Sequence, residues 1–231
     1  VIHVFGHAEP PLTRLVAALA ARGHEARAAS AGDRSAGHAT LVLGPGSDLD
    51  PAALGVLLGA WRRSEGARVL VVSLLGAHPD AHAARLARLW ALEEQVRRVA
   101  IPALTVRLAP LVGRESPLWL RLRARPGLPR GGRMLIQPVA EEDVAETLDR
   151  ALTGRAAWRG WYELAGPRAF TLHELAGLAC AAGPRLPFGA GAWEPPLEEM
   201  REHRLAEPSP WADHFGIEPT SIESRVDAWA A

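Results

Sequence analysis

Through the first 110 or so positions, short apolar runs alternate with longer stretches whose apolar side chains recur every three or four residues. Val1-Ile2-His3-Val4-Phe5, ending at Gly6, has the β-rich pattern of a buried first strand. Between Pro10 and Arg22, Leu12, Leu15, Val16 and Leu19 share one helical face, with prolines at the start and Gly23 just past the end. Glu25 to Ala29 predicts a second strand and Ala39 to Leu43 a third, closed by Gly44-Pro45-Gly46. Asp50 is placed to cap a helix from Pro51 to about Ser64. Arg68 to Leu74 is the clearest buried strand, followed by a helix from Pro79 to Val99 and a strand from Ala103 to Leu108. Continuous apolar strands alternating with helices predict an α/β fold, a parallel doubly wound sheet covered on both faces.

Beyond Gly113 the pattern loosens. Leu118 to Arg133 alternates apolar residues with Arg121, Arg123, Arg125, Arg130 and Arg133. We read it as alternating strand and loop with a solvated arginine face, in preference to an anion-binding or partner-binding arm. Ile136 to Val139 predicts a short strand, Glu141 to Leu152 a helix and Trp161 to Ala165 another strand. Thr171 caps a helix running through Ala182, with Glu174 completing a capping box, and a short helix ends the chain near Ile222 to Ala230. The expected organisation is a nucleotide-binding-type core over 1–113 and a small C-terminal cap region over 114–231.

Composition narrows the function classes. All 26 basic side chains of the 231 residues are Arg, balanced by 26 acids, so the chain lacks the positive surplus that nucleic-acid binding requires. Cys180 stands alone, no apolar run is long enough for a membrane span, and the first residues have no basic leader region. The expected setting is cytoplasmic. His78 and His82 flank Asp80 at a spacing that can put two imidazoles on one helix face, but no matching acid or thiol cluster accompanies them, so no metal is expected. Glu141, Glu142 and Asp143 are read as a helix start, where acids favour the dipole. Eight Trp, together with the Arg content, point modestly to a protein interface or a homo-oligomer.

Several segments in order resemble the atypical and extended short-chain dehydrogenases, particularly the NmrA-like branch and relatives of the complex I accessory subunit of that fold. They are VIHVFG with the helix ending ARGHEARA, VLVVSLLGA, WALEEQVRRVAIPALTVRLAPLVG, IQPVAEEDVAETLDRAL, YELAGPRAFTLHELA and HFGIEPTSIES. The resemblance implies a Rossmann-like sheet and an NAD(P) site, and this chain departs from it in three places. The glycine-rich turn reads Gly6-His7-Ala8-Glu9-Pro10-Pro11-Leu12: Glu9 and Leu12 stand at the second and third glycines, and two prolines offer no N–H to a phosphate. Only about ten residues, Ser30 to Ala39, join the second strand to the next, so the fold is expected to be shortened by one β-α unit on the adenine side. Ala31 aligns with the arginine that reads an NADP 2′-phosphate, leaving Arg27 and Arg34 as nearby substitutes. Finally, Ser73 holds the family's catalytic serine position, but Leu86 and Trp90 fall where the catalytic Tyr and Lys belong, and Tyr162 lies in the wrong segment to replace them.

These departures together point to a degenerate member: a pseudoenzyme acting as a binding or structural subunit, with no cofactor expected, Ser73 vestigial and a protein partner or homo-oligomer implied. The helix Pro79 to Val99 is the expected dimer face, through Leu86, Leu89 and Trp90. The alternative is an NAD(P)H-dependent atypical reductase or isomerase, or an NADP-sensing regulator. Under it, Gly6, His7, Arg34 and Ser73 would bind the nucleotide, with Ser73 and Arg107 facing the substrate.

Overall fold

A computed structural model describes residues 1–5, 11–29, 40–45, 47, 50–124, 127–187, 189–199 and 202–230. The chain divides into two compact units: Val1–Arg107 with Thr147–Tyr162, and Leu108–Glu146 with Glu163–Ala231.

The first unit is built on the six-stranded sheet, in the order β2-β1-β3-β4-β5-β9. Its strands are β1 (Ile2–Phe5), β2 (Ala26–Ala29), β3 (Thr40–Leu43), β4 (Arg68–Leu74), β5 (Ala103–Leu108) and β9 (Gly160–Leu164). β1 runs parallel to both β2 and β3, and β3 parallel to β4. The expected α/β doubly wound architecture is therefore present, and β2 forms its edge, as the short link to β3 requires. β3 and β4 are almost wholly buried because each is covered on both faces, which is why they read as unbroken apolar runs. Helix α1 (Leu12–Ala21) buries Leu12, Leu15 and Leu19, the stripe that sequence periodicity places on its inner face. Helix α2 (Pro51–Trp61) starts at Asp50, whose carboxylate accepts from the N–H groups of Ala52 and Ala53 at 2.8 and 2.9 Å. Helix α3 (Ala84–Arg98) begins later than its apolar spacing predicts, because Pro79 to Ala83 are spent on turns.

The second unit carries two small two-stranded sheets. β6 (Leu111–Val112) pairs in parallel with β8 (Val139–Ala140), and β7 (Leu135–Ile136) pairs antiparallel with β10 (Phe170–Thr171). The single strand expected over Ile136 to Val139 is thus two, separated by Gln137 and Pro138. The arginine-rich stretch departs further from expectation. Residues Pro117–Arg123 form a helix, α4, capped by Ser116, with Leu118, Trp119 and Leu122 buried. Spacing of three and four between those side chains is helical; the alternation with Arg mimics a strand because the arginines occupy the intervening faces. α5 (Glu141–Leu152) matches its predicted span, and α6 (Leu172–Ala181) has the predicted capping box on Thr171 and Glu174. A helix not foreseen, α7 (Ser209–Phe215), precedes the terminal α8 (Val226–Ala230). The core here gathers Trp119, Phe170, Leu172, Leu175 and Trp229, with the two indoles edge-to-face at 5.1 Å.

Candidate functional site

The residues that would do the family's chemistry collect near the C-terminal ends of the parallel strands. Ser73 is the penultimate residue of β4 and is wholly buried. Its Oγ has no hydrogen-bond partner among the described residues, so it is not the strand-end hydrogen bonder that an isolated serine there suggests. Leu86, at the tyrosine position, lies on the buried face of α3 at 1 % exposure beside Leu89, Leu92 and Val96. Trp90, at the lysine position, is half-buried. Neither side chain can move a proton. Burial of Leu86 and Leu89 within their own unit also removes them as dimer contacts, which corrects that expectation: α3 uses its apolar stripe to cover β4.

Arg107 is engaged within the first unit. Its guanidinium makes a bidentate pair with Glu93, donating from Nε at 2.9 Å and from the terminal nitrogen at 2.8 Å, and stacks over Trp161 at 4.5 Å. Glu93 is buried, so this pair ties α3 to β5. Tyr162, on β9, is half-buried; burial raises its phenol above the usual value against a smaller opposing pull from Arg159, which makes it a weaker proton donor.

Gly6, His7 and Arg34, the other candidate nucleotide contacts, lie outside the described residues, as do Glu9 and Ala31. What borders them is informative. Leu12, the residue at the third glycine of the fingerprint, opens α1 and is buried. It fits because Gly44, just after β3, has no side chain: a Cβ there would stand 3.3 Å from the Leu12 Cδ2 and 2.8 Å from the Val72 carbonyl oxygen. The glycine that allows helix and strand to approach has thus moved from the helix to the strand end. Ser47 then ties the neighbouring ends together. Its Oγ donates to the Phe5 carbonyl at 2.7 Å and accepts from the Gly44 N–H at 3.1 Å. The second unit repeats the device, with the Gly113 N–H donating to the Ser116 Oγ at 3.1 Å. The Gly-x-x-Ser spacing in GPGS and GRES carried that signal in the sequence and was not read. The described residues offer NAD(P) one buried hydroxyl at Ser73 and a hydrophobic residue at the third glycine; they do not make a complete site for it.

Elsewhere His78, Glu142 and Asp143 make hydrogen bonds within the fold. His78 accepts from the Asp80 N–H within an exposed turn, so His78 and His82 do not share a helix face. Asp143 accepts from the Thr220 N–H and Oγ1, both at 2.7 Å. Burial raises its pKa, partly offset by those two bonds. Glu142 accepts from the Trp229 indole at 3.3 Å. The EEDVAE and EPTSIES segments, distant in sequence, are therefore joined physically.

No family model matches the sequence. It is 35 % identical over 116 residues to the NADH dehydrogenase [ubiquinone] 1 alpha subcomplex subunit 9, mitochondrial, of Arabidopsis thaliana. That match spans 47 % of this chain and 29 % of the plant protein, so less than a third of the relative's length is represented. Among solved structures, a human epimerase family protein with NADPH superposes at a TM-score of 0.70 with 16 % identity, covering 99 % of this chain and 98 % of that one. The triphenylmethane reductase of Citrobacter sp. gives 0.68 and 16 %, with 99 % of both chains covered. At such identities the likeness is one of fold. No helix among the described residues is long and apolar enough to cross a membrane. The chain has the Rossmann-like fold of the short-chain dehydrogenase and epimerase proteins, the fold its sequence segments resemble.

Proposed function

We propose that this chain is a non-catalytic dehydrogenase-like protein that serves as a binding or structural subunit of a protein assembly. The observation that carries the proposal is Leu86, buried in the core-facing stripe of α3 where the family places its proton-transferring tyrosine. A chain without lysine has no replacement for the second member of that pair. The packing of Leu12 on Gly44 and the engagement of Arg107 by Glu93 point the same way: positions that would face ligand are spent on the fold. Partial similarity to a named subunit of NADH dehydrogenase supports an assembly as the setting. On this reading residues 1–113 are a vestigial nucleotide-binding core, 114–231 a cap, and the protein works away from the membrane interior in an aqueous compartment such as the cytoplasm.

Calorimetric titration with NADH, NADPH and their oxidised forms tests this. No heat of binding up to millimolar nucleotide is expected, and micromolar binding would overturn it. A second reading, an NAD(P)H-dependent reductase, isomerase or NADP sensor, draws on the unpartnered Ser73 hydroxyl and on the NADPH bound by the human protein of like fold. It requires that Gly6, His7 and Arg34 hold the nucleotide despite Glu9 and the prolines, and the same titration decides it.

A further inference from the structure

The second unit carries an open groove of about 610 Å³ that the dehydrogenase chemistry does not use. It is lined by Pro167, Pro208, Pro219 and Ile217 together with the exposed acids Asp213 and Glu218. Among the described residues neither carboxylate has a hydrogen bond or an ion pair.

The groove is poor in donors for a definite reason. Three prolines contribute no N–H. The N–H of Ala212 is taken by the Pro208 carbonyl, those of Gly216 and Ile217 by the Ala212 carbonyl, and that of Ser209 by Glu207. The Ser209 hydroxyl also donates to Glu207. With these N–H groups engaged, carbonyl and carboxylate oxygens are prominent on a proline-rich, largely apolar frame. Its flanks are anchored, by the Trp211 indole on the Ala165 carbonyl and by Thr220 on Asp143, and Gly216 at φ 65° turns the chain so that Glu218 follows directly on α7. A frame fixed before binding loses little entropy when occupied.

The geometry points to this groove as a docking site for an arginine-bearing segment of a partner protein. An arginine brings what the groove lacks: several donors and a positive charge, on an aliphatic stem that lies well along proline and isoleucine. Charge complementarity selects that occupant over an acidic or purely apolar one. The inference rests on the proposed role as an assembly subunit and supplies the contact face for it.

The test uses the whole chain, with a capped hexapeptide Gly-Arg-Pro-Leu-Arg-Gly and its isosteric citrulline counterpart as probes, followed by amide chemical shifts. Shifts centred on Ala212 to Glu218 are expected, with roughly tenfold weaker binding for the citrulline peptide. The double variant Asp213→Asn, Glu218→Gln should lose binding to a similar degree, while Glu198→Gln, an exposed acid outside the groove, should not. Both groove substitutions are at exposed positions, and a preserved circular dichroism spectrum shows that the fold is intact. Absence of binding, shifts elsewhere, equal affinity for both peptides, or a double variant that binds as before would each overturn the proposal. Self-association abolished by the double variant would overturn it in favour of a second copy as occupant. Nucleotide calorimetry remains a separate readout: heat from NADPH would remove the subunit reading without touching the peptide shifts, and silent peptides would remove the groove without touching the calorimetry.

Discussion

The strand ends of the first unit and the tie points of the second have fared differently. In the first, the positions that the family would use for nucleotide and substrate hold Leu12, Leu86 and Trp90, and Arg107 is paired with Glu93. In the second, polar residues are engaged within the fold: Asp143 with Thr220 and Trp229 with Glu142 across distant segments, and Thr171 with Glu174 in a local cap. Polar groups persist where they close hydrogen bonds inside the fold, and apolar ones stand where a ligand would have needed donors. Fold and site depend on different residues, so the one does not establish the other.

The largest expected effect comes from breaking the buried pair in the first unit. Glu93→Ala leaves the Arg107 guanidinium without its partner and should cost about 3–5 kcal/mol, read by urea denaturation. A loss under 1 kcal/mol would mean that Arg107 is free to act elsewhere. In the second unit, Thr220→Val removes the hydroxyl bond to Asp143 while the backbone N–H bond stays, a cost of about 1–3 kcal/mol for a buried carboxylate. If that substitution proved neutral, the tie between the two segments would not be structural.

Next comes pH, which separates two carboxylates of the second unit. Asp143 has its folded pKa raised, mainly by burial, so its contribution to stability is full below its unfolded pKa and is lost as pH rises through the folded one. Glu174 is lowered, chiefly by the Thr171 N–H and hydroxyl, so its contribution is present above the unfolded pKa and is lost as pH falls through the folded one. Melting temperatures followed from neutral pH into the carboxylate range should show wild type gaining on Asp143→Asn and losing ground to Glu174→Gln. Slopes of the same sign would contradict the assignment. The smallest effect is at Ser73. Its hydroxyl has no described partner, so Ser73→Ala should leave stability unchanged or raise it by at most about 1–2 kcal/mol. A marked loss would reveal a partner and revive the active-site reading.

Much of this was legible beforehand where the signal is local. β4 and β5 end where their apolar runs end, the Asp50 cap and the Thr171–Glu174 box form as spelled, and α5 spans its predicted residues. Leu118 to Arg133 reads as a strand because apolar residues alternate with arginines from Leu120 to Arg125, while Leu118, Trp119 and Leu122 satisfy a helix. The delayed start of α3 was hidden because leucine and alanine spacing continues past a turn without marking it.

By itself the sequence determined the order of strands and helices as far as β5, the absence of a lysine for the proton relay and the short link after β2, since these follow from local pattern and residue identity. Only the tertiary structure decided that Gly44 makes room for Leu12, that Arg107 belongs to Glu93 and that Asp143 reaches Thr220. It also decided that Asp213 and Glu218 stand on one groove. Those are contacts between residues far apart or on different turns of the chain, and no spacing along a sequence encodes which of many compatible partners a side chain meets once the core closes.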